Sequence, residues 1–134
     1  MTSKRNSLQP EVRAAIEAAQ EKQAAEVTLL DLAGLGAFTD CFLLCTGFSP
    51  RQVEAICDEI EEKLARSGKR LLHREGQSGA DWMLLDFGSL IVHVFTESAR
   101  HFYDLERLWR EARRIEFENP AEGNRRPGAA EAEA

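Results

Sequence analysis

The residues able to do chemistry are scattered. Asp31 closes one apolar run, Asp40 opens another, and Asp86 stands just before a Gly-Ser pair. No Asp-x-Asp pair is present to hold magnesium for nucleotidyl or phosphoryl transfer. Gly34-Leu35-Gly36 and Thr46-Gly47-Phe48-Ser49 contain small residues, but neither forms a phosphate-cradling loop with its lysine. Three cysteines, Cys41, Cys45 and Cys57, are an odd count without disulfide or zinc spacing. Cys41 and Cys45 would stand about 13 Å apart along a strand, too far to share a metal. His73 and His101 have no ligand-type neighbour at metal spacing. Ser49 is explained by helix capping without a nucleophilic role. Catalysis needs groups that converge within hydrogen-bond reach, and no cofactor or metal is implied.

The elements that would position these groups follow from local pattern. Pro10 suits a first helical turn, followed by Val12, Ala15, Ile16 and Ala19 at helical spacing. Glu26 to Leu32 reads as a buried strand ended by Ala33-Gly34-Leu35-Gly36, and Cys41 to Cys45 as a second. Ser49-Pro50-Arg51-Gln52 starts a helix: Ser49 can accept from the Gln52 amide while Gln52 reaches back. That helix carries Val53, Ile56, Cys57, Ile60 and Leu64 on one face, and Gly68 stops it. Lys69 to Glu75 gives a third strand. Asp81–Phe87 and Leu90–Thr96 form a hairpin around Gly88-Ser89, because glycine at the first position of a two-residue loop favours a tight turn. The last element is expected to be a helix from Ser98 to Ile115, broken near Asp104, whose side chain would cap a segment carrying Leu105, Leu108 and Trp109. The expectation is an α/β (α+β) single domain over residues 10–117 with a five-stranded mixed sheet and flanking helices. Residues 1–9 are expected to be loose, and 118–134, rich in Pro, Gly, Ala and Glu, to be a disordered tail.

Composition narrows the function. The 134 residues suffice for one domain with a real core. Seventeen basic against 23 acidic residues leave a net charge of −6, without the basic stripe of a phosphate-gripping protein, so nucleic acid is not expected as the primary ligand. No apolar run approaches the roughly 20 residues of a bilayer span, and the N-terminus lacks a secretory apolar stretch. A cytoplasmic protein is expected.

The hairpin carries the most information. With Phe87 opposite Leu90, strand alternation assigns every side chain to a face. One face holds Met83, Leu85, Phe87, Leu90, Val92 and Val94, all apolar and therefore core. The other holds Trp82, Leu84, Asp86, Ile91, His93 and Phe95. Aromatic anchors mixed with a few polar groups resemble a protein-docking patch in composition. The alternative is that the C-terminal helix covers this face, with His93 and Asp86 satisfied internally, since sheets in α/β folds are often covered twice.

Taken together, several stretches resemble one family. They are Phe38-Thr39-Asp40-Cys41-Phe42, Gly47, Arg51-Gln52-Val53, Glu75-Gly76, Asp81-Trp82, Leu84-Leu85-Asp86-Phe87-Gly88, Val92-His93-Val94-Phe95 and Phe102-Tyr103-Asp104-Leu105-Glu106-Arg107-Leu108-Trp109. In this order they are similar to the ribosomal silencing factors, also called the Iojap-related family, over roughly residues 10–116. The resemblance implies a nucleotidyltransferase-like fold without catalytic residues. It also implies a partner, ribosomal protein fourteen of the large subunit, on the surface that faces the small subunit. Occupying that surface blocks subunit joining and represses translation when nutrients are scarce. Trp82, Leu84, His93 and Phe95 then become the docking anchors, with Asp86 and Ile91 on the same face. Tyr103, Asp104 and their neighbours either contribute to docking or hold the last helix to the sheet. Cys41 replaces a commoner aromatic and Phe87 a commoner Tyr. Two other readings stay open: a small nucleotide-using enzyme, which would need Asp31 and Asp40 to converge around a metal, and a general RNA-binding module. An exposed apolar face would also allow a homodimer of the free protein.

Overall fold

A computed structural model describes residues 9–118. The segments expected to be loose, 1–9 and 118–134, lie outside the described residues apart from Gln9 and Glu118. The chain runs α1 (Pro10–Glu21), β1 (Ala25–Asp31), β2 (Cys41–Gly47), α2 (Pro50–Arg66), β3 (His73–Glu75), β4 (Trp82–Asp86), β5 (Leu90–Thr96), α3 (Glu97–Tyr103), the single turn α4 (Leu105–Leu108) and β6 (Arg113–Phe117). The strands form one six-stranded sheet in the order β3-β4-β5-β2-β1-β6. Only β2 and β5 pair in parallel, and α2 lies on the crossover between β2 and the β3–β5 segment. The sheet is therefore mixed, with one strand more than expected.

α1 and α2 cover one face. Val53, Ile56, Cys57, Ile60 and Leu64 are all fully buried against Leu43, Cys45, Leu85, Val92 and Val94. Burying each of the larger side chains contributes about 1.5–3 kcal/mol, so helix spacing and strand alternation reinforce one another here. The start of α2 is tied more widely than a capping box requires. Ser49 Oγ accepts from the Gln52 amide at 3.1 Å, while Gln52 Oε1 accepts from the amide of Phe48, one residue earlier than a capping box uses, at 2.7 Å. Gln52 Nε2 also donates to the carbonyls of Lys22 and Gln23, fastening α2 to the end of α1.

The hairpin register is as expected. The Phe87 amide donates to the Leu90 carbonyl at 2.8 Å, and Trp82, Leu84 and Asp86 lie opposite Phe95, His93 and Ile91. Gly88 sits at φ +96°, the left-handed value that the first position of this turn demands. Asp86 completes the turn, its Oδ1 accepting from the Gly88 amide at 2.8 Å.

The C-terminal segment departs from expectation. No helix continues to Ile115. α4 stops at Leu108, and Arg113–Phe117 returns as an edge strand antiparallel to β1, with Ile115 opposite Leu29 and Phe117 opposite Val27. The polar–apolar alternation of Arg114-Ile115-Glu116-Phe117 is a strand signal, and it prevails because Ile115 and Phe117 can pack on the α1 side of the sheet. Asp104 caps nothing with its side chain. It adopts φ +49°, a conformation Asp tolerates, and its amide closes α3 onto the Arg100 carbonyl at 2.9 Å. β3 is also shorter than expected. Before His73 the chain is irregular, held to β4 by the Leu72 amide on the Asp86 carbonyl.

Candidate functional site

The second sheet face is partly roofed. Leu30, Leu32, Phe42, Leu44, Ile91 and Phe95 form a smaller core with Ala99 of α3, against which Leu105 and Trp109 pack. Trp109 stands edge-on to Phe42, ring centres 5.8 Å apart. The open docking face expected on the hairpin therefore needs correction. Ile91, His93 and Phe95 are buried, because β5 is one of the two central strands and α3 with its following turn folds back across it. They cannot touch a partner without the roof moving. On β4, Trp82, Leu84 and Asp86 stay half-exposed, since the roof stops short of the strand nearer the sheet edge.

What reaches the surface is an aromatic edge. Tyr103 packs on Trp82, with ring centres 4.4 Å apart, and Phe102 meets Tyr103 edge-on at 5.0 Å. Phe102 is 78 % exposed and Tyr103 50 %. Together with Leu84 they wall a groove of about 760 Å³ between α3 and the β3–β4 connection, also lined by Glu75, Gly76, Ala80, Asp81 and Ser98. No lysine or arginine lines it among the described residues. Glu75 pairs with the exposed His73 at 2.8 Å, while the Asp81 carboxylate has no partner among the described residues. Gly76 is required at its place. It sits at φ +110°, and a Cβ there would lie 2.7 Å from Met83 Cγ and 3.0 Å from the Trp82 carbonyl oxygen.

His93 supports the groove from beneath. The Trp82 indole N–H, which can only donate, gives a 3.1 Å hydrogen bond to His93 Nδ1. The imidazole proton therefore resides on Nε2, which is buried without a partner among the described residues. Burial pushes the His93 pKa down to about 4, so the ring is neutral at pH 7. An imidazole accepting from Trp82 and flanked by Phe42 and Phe95 fixes the indole plane.

The acidic wall was missed in the sequence, and Phe102 was not singled out as an anchor. The available signal was Phe102-Tyr103 itself, since two adjacent large aromatics on a one-sided helix cannot both face the sheet. Elsewhere, Asp31 Oδ1 is engaged by the Ala33 amide, and no group of three or more His, Cys, Asp or Glu is arranged to hold a metal among the described residues. Burial pushes the thiols of Cys41, Cys45 and Cys57 up to about 12, which keeps them protonated packing groups. No described helix is long and apolar enough to cross a membrane.

A mixed sheet covered on one face and partly roofed on the other, with an aromatic groove beside its β4 strand, makes a small α+β domain. The chain belongs to the ribosomal silencing factor family, whose description "ribosomal silencing factor during starvation" matches residues 5–134. Relatives named ribosomal silencing factor RsfS include one from Halalkalibacterium halodurans, 38 % identical over 104 residues that cover 78 % of this chain and 89 % of the relative. Another from Bacillus subtilis is 38 % identical over 101 residues, 75 % of this chain and 86 % of the relative. A crystal structure of a protein from Chromobacterium violaceum superposes with a TM-score of 0.72 at 32 % identity, covering 74 % of this chain and 82 % of that one. The family name denotes regulation of the ribosome rather than a chemical conversion.

Proposed function

We propose that this chain docks on the large ribosomal subunit through ribosomal protein fourteen and thereby keeps the small subunit from joining, repressing translation under nutrient limitation. The observation that carries the reading is the groove walled by Trp82, Tyr103 and Phe102, aromatics that pack on one another at the surface, whereas the exposed Phe38 and Phe48 line no part of it. Trp and Tyr held rigidly at a concave rim are the residue types that dominate binding energy at protein interfaces. Glu75 and Asp81, without a cation among the lining residues, suit a basic protein surface. The net charge of −6 weighs against gripping bare RNA. Trp82, Leu84, Tyr103 and Phe102 make the contact; His93, Phe95, Ile91 and Asp86 hold it in shape.

Sedimentation with separated subunits tests this. Co-migration with the large subunit is expected, together with loss of subunit joining in its presence; association with the small subunit alone refutes the assignment. Phe102→Ala should weaken binding by about 1–3 kcal/mol, roughly 5- to 150-fold, without lowering thermal stability, because the ring contributes little to the fold. Unchanged affinity would place the contact elsewhere. When no ribosome is present, the same apolar edge, together with the exposed Leu108 of α4, is proposed to pair two copies of the chain.

A further inference from the structure

Arg100 lies on α3 two residues before Phe102, yet only 7 % of it is exposed. Its side chain passes 5.9 Å from the Phe95 ring centre and ends where β1 and β2 meet. There Nη1 donates to the Glu26 carbonyl at 2.6 Å and to Thr46 Oγ1 at 3.0 Å, and Nη2 donates to Thr28 Oγ1 at 3.0 Å. The remaining donors face Glu106, Nη2 against Oε2 and Nε 3.4 Å from Oε1. Arg114 Nη2 approaches the same carboxylate oxygen, Oε2, at 3.5 Å. Glu26 presents its carbonyl from a bulge, at φ +47°, where the β1–β2 register shifts. A guanidinium fork fixes the direction of every bond it makes, so these acceptors determine both the seat of α3 on the sheet and the place where α4 begins.

The geometry points to Arg100 as a positioning residue for the docking groove: paired with Glu106, it sets the angle at which Phe102 and Tyr103 stand beside Trp82. Glu106 lies beyond the left-handed Asp104, so the pair closes the α3–α4 turn into a ring that contains Phe102 and Tyr103. Lysine keeps the charge at position 100 but not the fork, and glutamine at 106 keeps the shape but not the charge. The inference rests on reading the groove as the ribosome contact. A brace for the fold alone would lower stability and leave the affinity of folded molecules unchanged, whereas a positioning residue changes that affinity.

Arg100→Lys and Glu106→Gln in the full chain are to be compared with the unsubstituted protein at a temperature where circular dichroism shows all three folded. Binding to isolated large subunits and amide hydrogen exchange are the readouts. Each variant should bind at least tenfold more weakly, and exchange should quicken over residues 97–109 while the amides of β2 and β5 keep their protection. The double variant should lose little more than the worse single variant, because the two residues act as one unit. Affinity equal to that of the unsubstituted chain, or faster exchange spread through the sheet, overturns the inference. If the unsubstituted chain binds no large subunit, the docking reading fails by itself, and exchange over 97–109 alone decides whether Arg100 orients this edge. If Arg100→Lys does not fold, Glu106→Gln carries the test from the more accessible side of the pair.

Discussion

His93 shows how one buried ring ties stability to the site. Neutral and 5 % exposed, it accepts a hydrogen bond from the Trp82 indole N–H and has no partner for its own Nε2–H among the described residues. In the unfolded chain the imidazole titrates near 6.5; in the folded chain its pKa is lowered to about 4 by burial. The folded state therefore binds fewer protons within this window. The stability supplied by the neutral ring is fully present above about pH 6.5 and is lost as pH falls towards 4, by about 3 kcal/mol in all. Urea denaturation at a series of pH values should show that decline in the native chain and a flatter profile in His93→Phe; parallel profiles would remove His93 as its source. Trp82 loses its acceptor in the same variant, so its half-exposed indole should also become less ordered.

At the scale of elements, the groove depends on how the β3–β4 connection meets α3. Gly76 and Gly88 both occupy left-handed backbone, but their surroundings differ. A Cβ at Gly88 finds only Leu72 Cδ1 at 3.5 Å, whereas one at Gly76 collides with Met83 and the Trp82 carbonyl. Gly88→Ala should therefore lose roughly 1–3 kcal/mol from backbone strain, and Gly76→Ala more, since strain and overlap add. Gly76→Ala should also reduce large-subunit binding, because relief of the overlap displaces Trp82. Chemical denaturation of both variants gives the comparison, and equal losses would mean that the connection yields freely. Much of this level was legible beforehand. The α2 cap and face, the hairpin register and the inward set Met83, Leu85, Phe87, Leu90, Val92 and Val94 follow from spacing alone, because a period of 3.6 or 2 states which residues share a face. The C-terminal strand was misread because Phe102 to Trp109 is helical in pattern, and a five-residue strand gives too short an alternation to stand out beside it.

For the whole molecule, the relevant question is where closure of the fold stops. α1 and α2 bury the centre of one side of the sheet, while the roof formed by α3, α4 and Trp109 covers β5 but leaves β4 half-open. Phe102 and Tyr103 are left exposed beside it, and with the exposed Leu108 of α4 they carry the proposed pairing of free copies. Sedimentation velocity across a dilution series should show a concentration-dependent dimer that Leu108→Lys weakens and that bound large subunits disperse. A strictly monomeric chain at all concentrations would confine this edge to the ribosome.

Alternation and turn chemistry are local properties, so the sequence by itself determined the hairpin register, the helix starts and the two sets of side chains that face opposite ways. It also determined a net acidic charge without a basic stripe. Whether the mixed set Trp82, Leu84, Asp86, Ile91, His93 and Phe95 meets solvent is not local. It depends on a segment distant in sequence folding back over a central strand, on the Arg100–Glu106 pair that seats it, and on where that cover ends. Tertiary packing therefore buried Ile91, His93 and Phe95, left Trp82 and Leu84 at a rim, and brought Phe102 and Tyr103 beside them.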